Sequence, residues 1–219
     1  MQLELDFRLY FREEAKHLMT ELPKWTPGII AAARLSRKTD LVELLREYDS
    51  QQHPTAELTA RDYTYAILAL LHLLPSSITR KKAKLSSTEL RSSLIVFKPE
   101  QIALDVFVSD KAKGNNKQPS LLSLGSKDEP GTFYLILDSK AVSLGDCGTL
   151  RAIDCLFKTH FVYWVSYAKS LALFMEFLQK VVYRIEPTKF SPRVRELHSS
   201  ILALTSNSSR TDLADTEQS

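Results

Sequence analysis

Cysteine is scarce in the sequence, with 2 residues, Cys147 and Cys155, among 219. That excludes a disulfide scaffold, and without a secretion signal both are expected to remain thiols. Glycine is scarce too, at 6 residues, so collagen-like and linker-like classes are excluded. No long apolar run is present. The longest, Tyr63 to Leu74, spans about 12 residues and carries Thr64 and His72, against the roughly 20 that a membrane span requires. Excess charge of either sign is absent as well: 29 basic and 26 acidic side chains leave a net +3, too little for a global basic field. The start, Met1-Gln2-Leu3-Glu4-Leu5-Asp6, lacks the basic region and apolar run of a signal peptide, and Gln2 stands where myristoylation requires glycine. The expectation is an intracellular protein, cytoplasmic or nuclear, with no membrane partner.

The usual signatures of chemistry are missing too. His17, His53, His72, His160 and His198 are never three or four apart, and the cysteines stand eight positions from each other. Zinc sites announce themselves by short paired spacings, so no metal is expected. Gly125-Ser126-Lys127 is neither a nucleophile elbow nor a phosphate loop, and a turn between strands accounts for Gly125 through Gly131. Cys147 lies between Gly145 and Gly148 before a helix start, where a helix dipole would favour a thiolate. No histidine accompanies it in sequence, and a plain turn cysteine is the stronger reading. Cys155, in an apolar helix, reads as a small buried hydrophobe. No catalytic residue, cofactor or metal is therefore expected.

What remains is an ordinary globular composition, 44% hydrophobic and 25% charged. The pattern predicts an α+β fold, mainly helical, with a small central sheet and a C-terminal helical hairpin. A single domain over 1–204 is expected, divided into a helical part (1–75), a basic loop with a first strand or helix (76–118), and strands with C-terminal helices (119–204). Leu5, Leu9, Leu18 and Leu22 mark early helical faces that Pro23 and Pro27 interrupt. Leu41, Leu44, Leu45 and Tyr48 mark the next helix, and Tyr63, Ile67, Leu70, Leu71 and Leu74 the one after it. Strands are predicted over 94–97, 120–124, 133–137 and 141–144, with Asp138-Ser139-Lys140 as a turn. Pro99 favours a helix over 102–108 weakly.

The C-terminal third carries the firmest periodicity. Thr149 caps a helix with Leu150, Ile153, Phe157, Phe161, Trp164 and Val165 on its inner face. After a break near Tyr167, Ser170 caps a second, bearing Leu171, Phe174, Leu178, Val181, Val182 and Ile185, with Glu176 and Lys180 as an exposed pair. Pro187 stops it, Ser191-Pro192 opens a last helix, and a disordered polar tail is expected over 205–219.

Asp154, Leu156-Phe157-Lys158, Tyr167, Phe174 and Phe177-Leu178-Gln179 occupy the places of a recurring motif. Upstream, Leu70 to Pro75, Gln118 to Gly125 and Phe133 to Asp138 match a helix and two strands of the same pattern. Together these residues resemble an uncharacterised C-terminal domain of animal multigene proteins, some of them sterile alpha motif domain-containing protein 3-like. The likeness spans most of residues 25–204. Tyr167-Ala168 stands where that family carries tyrosine then proline. The resemblance implies a shared fold and a modular, transposon-associated history, and it transfers no active site.

Two surfaces remain. Tyr163 and Phe177 fall partly off the inward stripes and, with Tyr167, form a candidate rim for an unknown protein partner or a second copy of the chain. His160, among Phe157, Phe161 and Trp164, reads as a hydrogen-bonded core histidine. The alternative is nucleic acid held through phosphate by Arg80, Lys81, Lys82 and Lys84 with Lys111, Lys113 and Lys117. No aromatics interleave these cations, so no stacking platform is formed. The leading expectation is a non-enzymatic interaction or assembly module. Converting Arg80, Lys81, Lys82 and Lys84 to Ser is expected to move stability by less than about 0.5 kcal/mol per site in chemical denaturation. If they contact phosphate instead, the salt slope of nucleic-acid affinity flattens by about one unit per lost contact.

Overall fold

In the computed structural model, residues 2–51, 57–74, 86–113 and 118–216 are described. Arg80, Lys81, Lys82, Lys84, Lys117 and His53 lie outside them. The chain begins with α1 (Gln2–Tyr10), a 3-10 turn (Glu14–Lys16), α2 (His17–Leu35), α3 (Thr39–Ser50) and α4 (Ala60–Leu73). Next come α5 (Ser87–Leu94), β1 (Ile95–Lys98), α6 (Leu104–Lys113), β2 (Ser120–Leu124), β3 (Thr132–Leu137) and β4 (Lys140–Gly145). It closes with α7 (Gly148–Val162), α8 (Ala172–Phe177), a π-helical turn (Leu178–Val182) and α9 (Pro192–Thr216). This is the expected mainly helical α+β fold with a small sheet.

The sheet is mixed, in the order β1-β2-β3-β4. β1 runs parallel to β2, with Ile95 opposite Leu121, and the remaining pairs are antiparallel. Alternation along the strands feeds two cores. Ile95, Leu121, Phe133 and Leu135 join the large helical core, whereas Leu122 and Ile136 meet Val108 of α6 on the opposite face. Asp138 and Ser139 both adopt left-handed conformations, which suits the tight β3–β4 turn. Gly131 is obligatory, since a Cβ there would lie 2.0 Å from the Leu124 carbonyl oxygen.

Several expectations need correction. On α1 the buried residues are Leu3 and Phe7, and Leu5 and Leu9 face solvent. Pro23 and Pro27 lie inside α2 without ending it; the Thr26 hydroxyl donates to the Leu22 carbonyl one turn back. α5 falls where a loop was expected to continue, and it starts from a reciprocal Ser86–Glu89 capping box. α8 starts from Leu171 without a side-chain cap, so Ser170 does not fill that role. The Glu176–Lys180 pair forms at 3.5 Å but is largely shielded, and Glu176 also accepts from the Ser191 amide. α9 reaches Thr216, past the point at which a disordered tail was expected to begin. Thr205 still closes on it, donating to the Ile201 and Leu202 carbonyls.

α7 is the central element. It packs on α1, α2, α4, β2 and β3, and its residues 149–160 are all buried except Arg151. Among them are the charged side chains Asp154 and Lys158, at 0% and 1% exposure. Asp154 accepts from Lys158 at 2.8 Å, from Arg151 at 3.1 Å and from the Tyr183 hydroxyl at 2.6 Å. Lys158 also donates to Glu4 of α1 at 2.8 Å. Burial pushes the Asp154 carboxyl up from its ordinary value, and the Lys158 ammonium opposes that shift. Phe157 stacks on Tyr183 at 4.0 Å, and His17 of α2 donates from Nδ1 to the Tyr183 carbonyl at 2.7 Å. Four segments are tied together.

The second apolar stripe is buried as predicted, from Leu171 through Phe174, Leu178, Val181 and Val182 to Ile185. Phe174→Ala is expected to cost about 3–5 kcal/mol in chemical denaturation, because the ring is fully enclosed. An unchanged midpoint would remove Phe174 from the core.

Candidate functional site

α7 ends in a Schellman motif whose left-handed position is filled by tryptophan. The Trp164 amide donates to Phe161 at 3.3 Å and the Val165 amide to His160 at 2.9 Å. Trp164 has φ +53°, a conformation that usually falls to glycine and costs another residue about 1–2 kcal/mol. The turn throws its indole outward, 84% exposed, next to Tyr163 at 57%. Helical spacing placed Trp164 inside, but the helix stops before its side chain can turn inward. Correction is also needed at Phe177, expected on the rim: it is fully buried and packs edge-on against Trp25 of α2 at 6.3 Å. Tyr167 is half-buried and Tyr163 exposed, so two of the three rim candidates reach the surface.

Between this turn and the end of α1 lies a cleft of about 600 Å³. Tyr10, Phe11, Phe161, Trp164 and Tyr167 line it with aromatic carbon. Phe11 meets Phe161 edge-on at 5.3 Å, and Tyr167 meets His160 edge-on at 5.0 Å. The opposite side comes from the π-helical turn and the residues after it, through Gln179 and Glu186. Gln179 accepts from the Tyr167 hydroxyl at 3.2 Å with its side chain and from the Ile185 amide at 2.8 Å with its carbonyl. Arg184 and Glu186 both take positive φ, at +61° and +50°. Three strained non-glycine residues thus cluster near one cleft, beside a π-helical turn of the kind often found at functional sites.

His160 lines the cleft and is a hydrogen-bonded core histidine. Its Nδ1 lies 2.9 Å from the Val165 carbonyl, which can only accept, so Nδ1 carries the proton. Nε2 is then a bare acceptor, buried and with no hydrogen-bond partner among the described residues. Burial holds the ring below its ordinary pKa and so keeps it neutral. Burial, together with the Glu186 charge, raises the Tyr167 phenol. Among the lining residues Glu186 is the one charged group, and it has no ion-pair partner among the described residues.

Among the described residues the remaining candidates do not gather into a site. Burial raises the Cys147 thiol, the reverse of activation by a helix start, and pushes Cys155 up to about 11. Both cysteines are free thiols. Among the described residues no three His, Cys, Asp or Glu side chains converge as a metal site would require, and no helix is long and apolar enough to cross a membrane. The Lys111 ammonium donates to Ser120, and burial lowers it to about 8; Lys113 pairs with Asp110 at 3.0 Å. Sequence spacing missed Tyr10, Phe11, Trp164, Gln179 and Glu186. The absence of glycine or asparagine after Val162 hid the helix end, and the cleft is assembled from segments distant in sequence.

Set against known proteins, the chain matches no family model, no curated protein and no solved structure.

His160, with its depressed pKa, generates a pH prediction. In the unfolded chain the ring protonates near pH 6.5, above the folded value, so stability is lost as pH falls through about 6.5. His72 and His198 act in the same sense, which makes the difference between wild type and His160→Gln the informative quantity. Wild type is expected to lose more stability than His160→Gln between pH 7.5 and 5.5, measured by denaturant titration. Equal losses would contradict a buried neutral ring.

Proposed function

We propose that the protein is a non-enzymatic interaction module that docks a protein partner on the aromatic cleft between α1 and the α7–α8 connection. The observation that carries this reading is Trp164, a large apolar side chain kept in solvent by a backbone conformation that opposes stability. Exposed Tyr10 and Tyr163 extend the same face, and exposed Leu5 and Leu9 lie on the helix that supplies Tyr10. Aromatic residues dominate the energetics of protein interfaces because they bury much area at little entropic cost.

Kinship with the sterile alpha motif domain-containing protein 3-like domain is part of the proposal, and it rests on the sequence resemblance alone. An intracellular setting belongs to it also, supported by two free thiols in a chain of this size. Against phosphate binding, Lys111 is partly buried on Ser120; Lys113, in a surface pair with Asp110, stays exposed.

The test is Trp164→Gly. Glycine relieves the left-handed strain, about 1–2 kcal/mol, and returns part of it as chain entropy. The variant is expected to be about 0.5–1 kcal/mol more stable than wild type and to lose the partners that wild type captures from source cells. Identical captured sets would overturn the docking site. Submicromolar binding of wild type to DNA or RNA at physiological salt would favour the basic loops instead.

A further inference from the structure

The cleft has an unbalanced chemistry. Its walls are aromatic rings, whose negative faces attract cations. Two acceptors in it are left without partners among the described residues: the Glu186 carboxylate has no ion pair, and the buried His160 Nε2 has no hydrogen bond. The donors of its own lining, such as the Ser166 hydroxyl, the Gln179 amide and the Trp164 indole, are neutral. The lining contains no cationic side chain among the described residues. Arg184, two residues before Glu186, is held at 2.8 Å by Glu21 on α2, and Arg12, next to Phe11, is not among the lining residues. Gln179 accepts from Tyr167 with its side-chain oxygen, so the donor it has left is a neutral amide and not a cation.

Resting on the docking reading above, we propose that the cleft receives a cationic N–H group, a guanidinium or ammonium, at the tip of an arginine or lysine side chain of the partner. The apolar stem lies against Tyr10, Phe11 and Trp164, and the charge sits over the rings within reach of Glu186. A planar guanidinium suits such a slot, because it stacks on aromatic faces while its edges donate. His160 Nε2 is now sealed from solvent. An N–H group that enters beside Tyr167 and displaces what now covers that nitrogen supplies the missing donor. A quaternary ammonium would satisfy the rings and the carboxylate but not this nitrogen, so the N–H is part of the specificity.

The test uses the full chain and three small probes: the N-acetyl methylamides of arginine, lysine and citrulline. Citrulline keeps the shape of arginine and removes its charge. Indole N–H signals report the binding, since the chain has 2 tryptophans and Trp164→Gly identifies one of them. Arginine, lysine or both are expected to shift the Trp164 indole and the His160 ring nitrogens saturably, with citrulline at least about threefold weaker. Glu186→Gln, a change at an exposed position, is expected to weaken the cationic probes about threefold and leave citrulline unchanged. Citrulline binding as well as arginine, shifts confined to other parts of the chain, or an unaffected Glu186→Gln variant would each overturn the cation inference. Those outcomes leave docking at the cleft standing if Trp164→Gly still loses its partners. An unchanged partner set in that variant overturns docking itself, whatever the probes do.

Discussion

Asp154 and Lys158 stand one turn apart on α7, and neither side chain reaches solvent. Taking two such charges out of water costs several kcal/mol each, and their attraction offsets this only when every remaining lone pair and proton is met. That requirement recruits Glu4 from α1, Arg151 from α7 and the Tyr183 hydroxyl from beyond the π-helical turn. The constraint is geometric before it is energetic. α1 must cross α7 where Glu4 reaches the ammonium, and the chain after the π-helical turn must return where Tyr183 reaches the carboxylate. The stacking of Phe157 on Tyr183 and the Phe7 ring beneath the ammonium, 5.5 Å away, fill the space that those bonds define.

The cleft is a consequence of that arrangement. α1, held by Glu4 and Phe7, ends in Tyr10 and is followed by Phe11, and α7 delivers His160 and Phe161 within the turn that follows Lys158. Past Tyr183 the chain turns through Arg184 and Glu186 in left-handed conformations, and Glu186 thereby reaches the same opening. A rigid buried base thus carries a surface that is strained, aromatic and, among its lining residues, without a cation. Binding sites are commonly built this way, with precision supplied by the core and adaptability by the rim.

Periodicity was sufficient wherever one face of an element meets the core. The stripe from Leu171 to Ile185 read directly from residue spacing, whereas α4 and the strand at 120–124, buried on all sides, were legible as short apolar runs instead. It failed where an element is enclosed on several sides or ends unexpectedly. Phe177 lies off the main stripe, yet α2 covers it through Trp25. Trp164 lies on the stripe, yet the helix ends before it, with no glycine to mark the stop. Prolines 23 and 27 look like breakers, but α2 packs against α4, α7 and α9, and tertiary contact outweighs two lost hydrogen bonds. The Ser86–Glu89 capping box is a sequence signal for a helix start, one that the loop reading of α5 misses. The cleft was not legible, because its walls come from positions near 10, 164 and 186 that only the buried network brings together.

A thermodynamic double-mutant cycle on Asp154 and Lys158 tests that dependence most directly. Asp154→Asn and Lys158→Met each leave the other charge, or its donors, uncompensated in the core, a loss of about 3–5 kcal/mol per variant. The double variant removes both charges and is predicted to lose much less than the sum, with a coupling energy above about 1 kcal/mol by denaturant unfolding. Additive losses within about 0.5 kcal/mol would mean that the two charges act independently. The network could then not be what sets α1 and the C-terminal turn around the cleft.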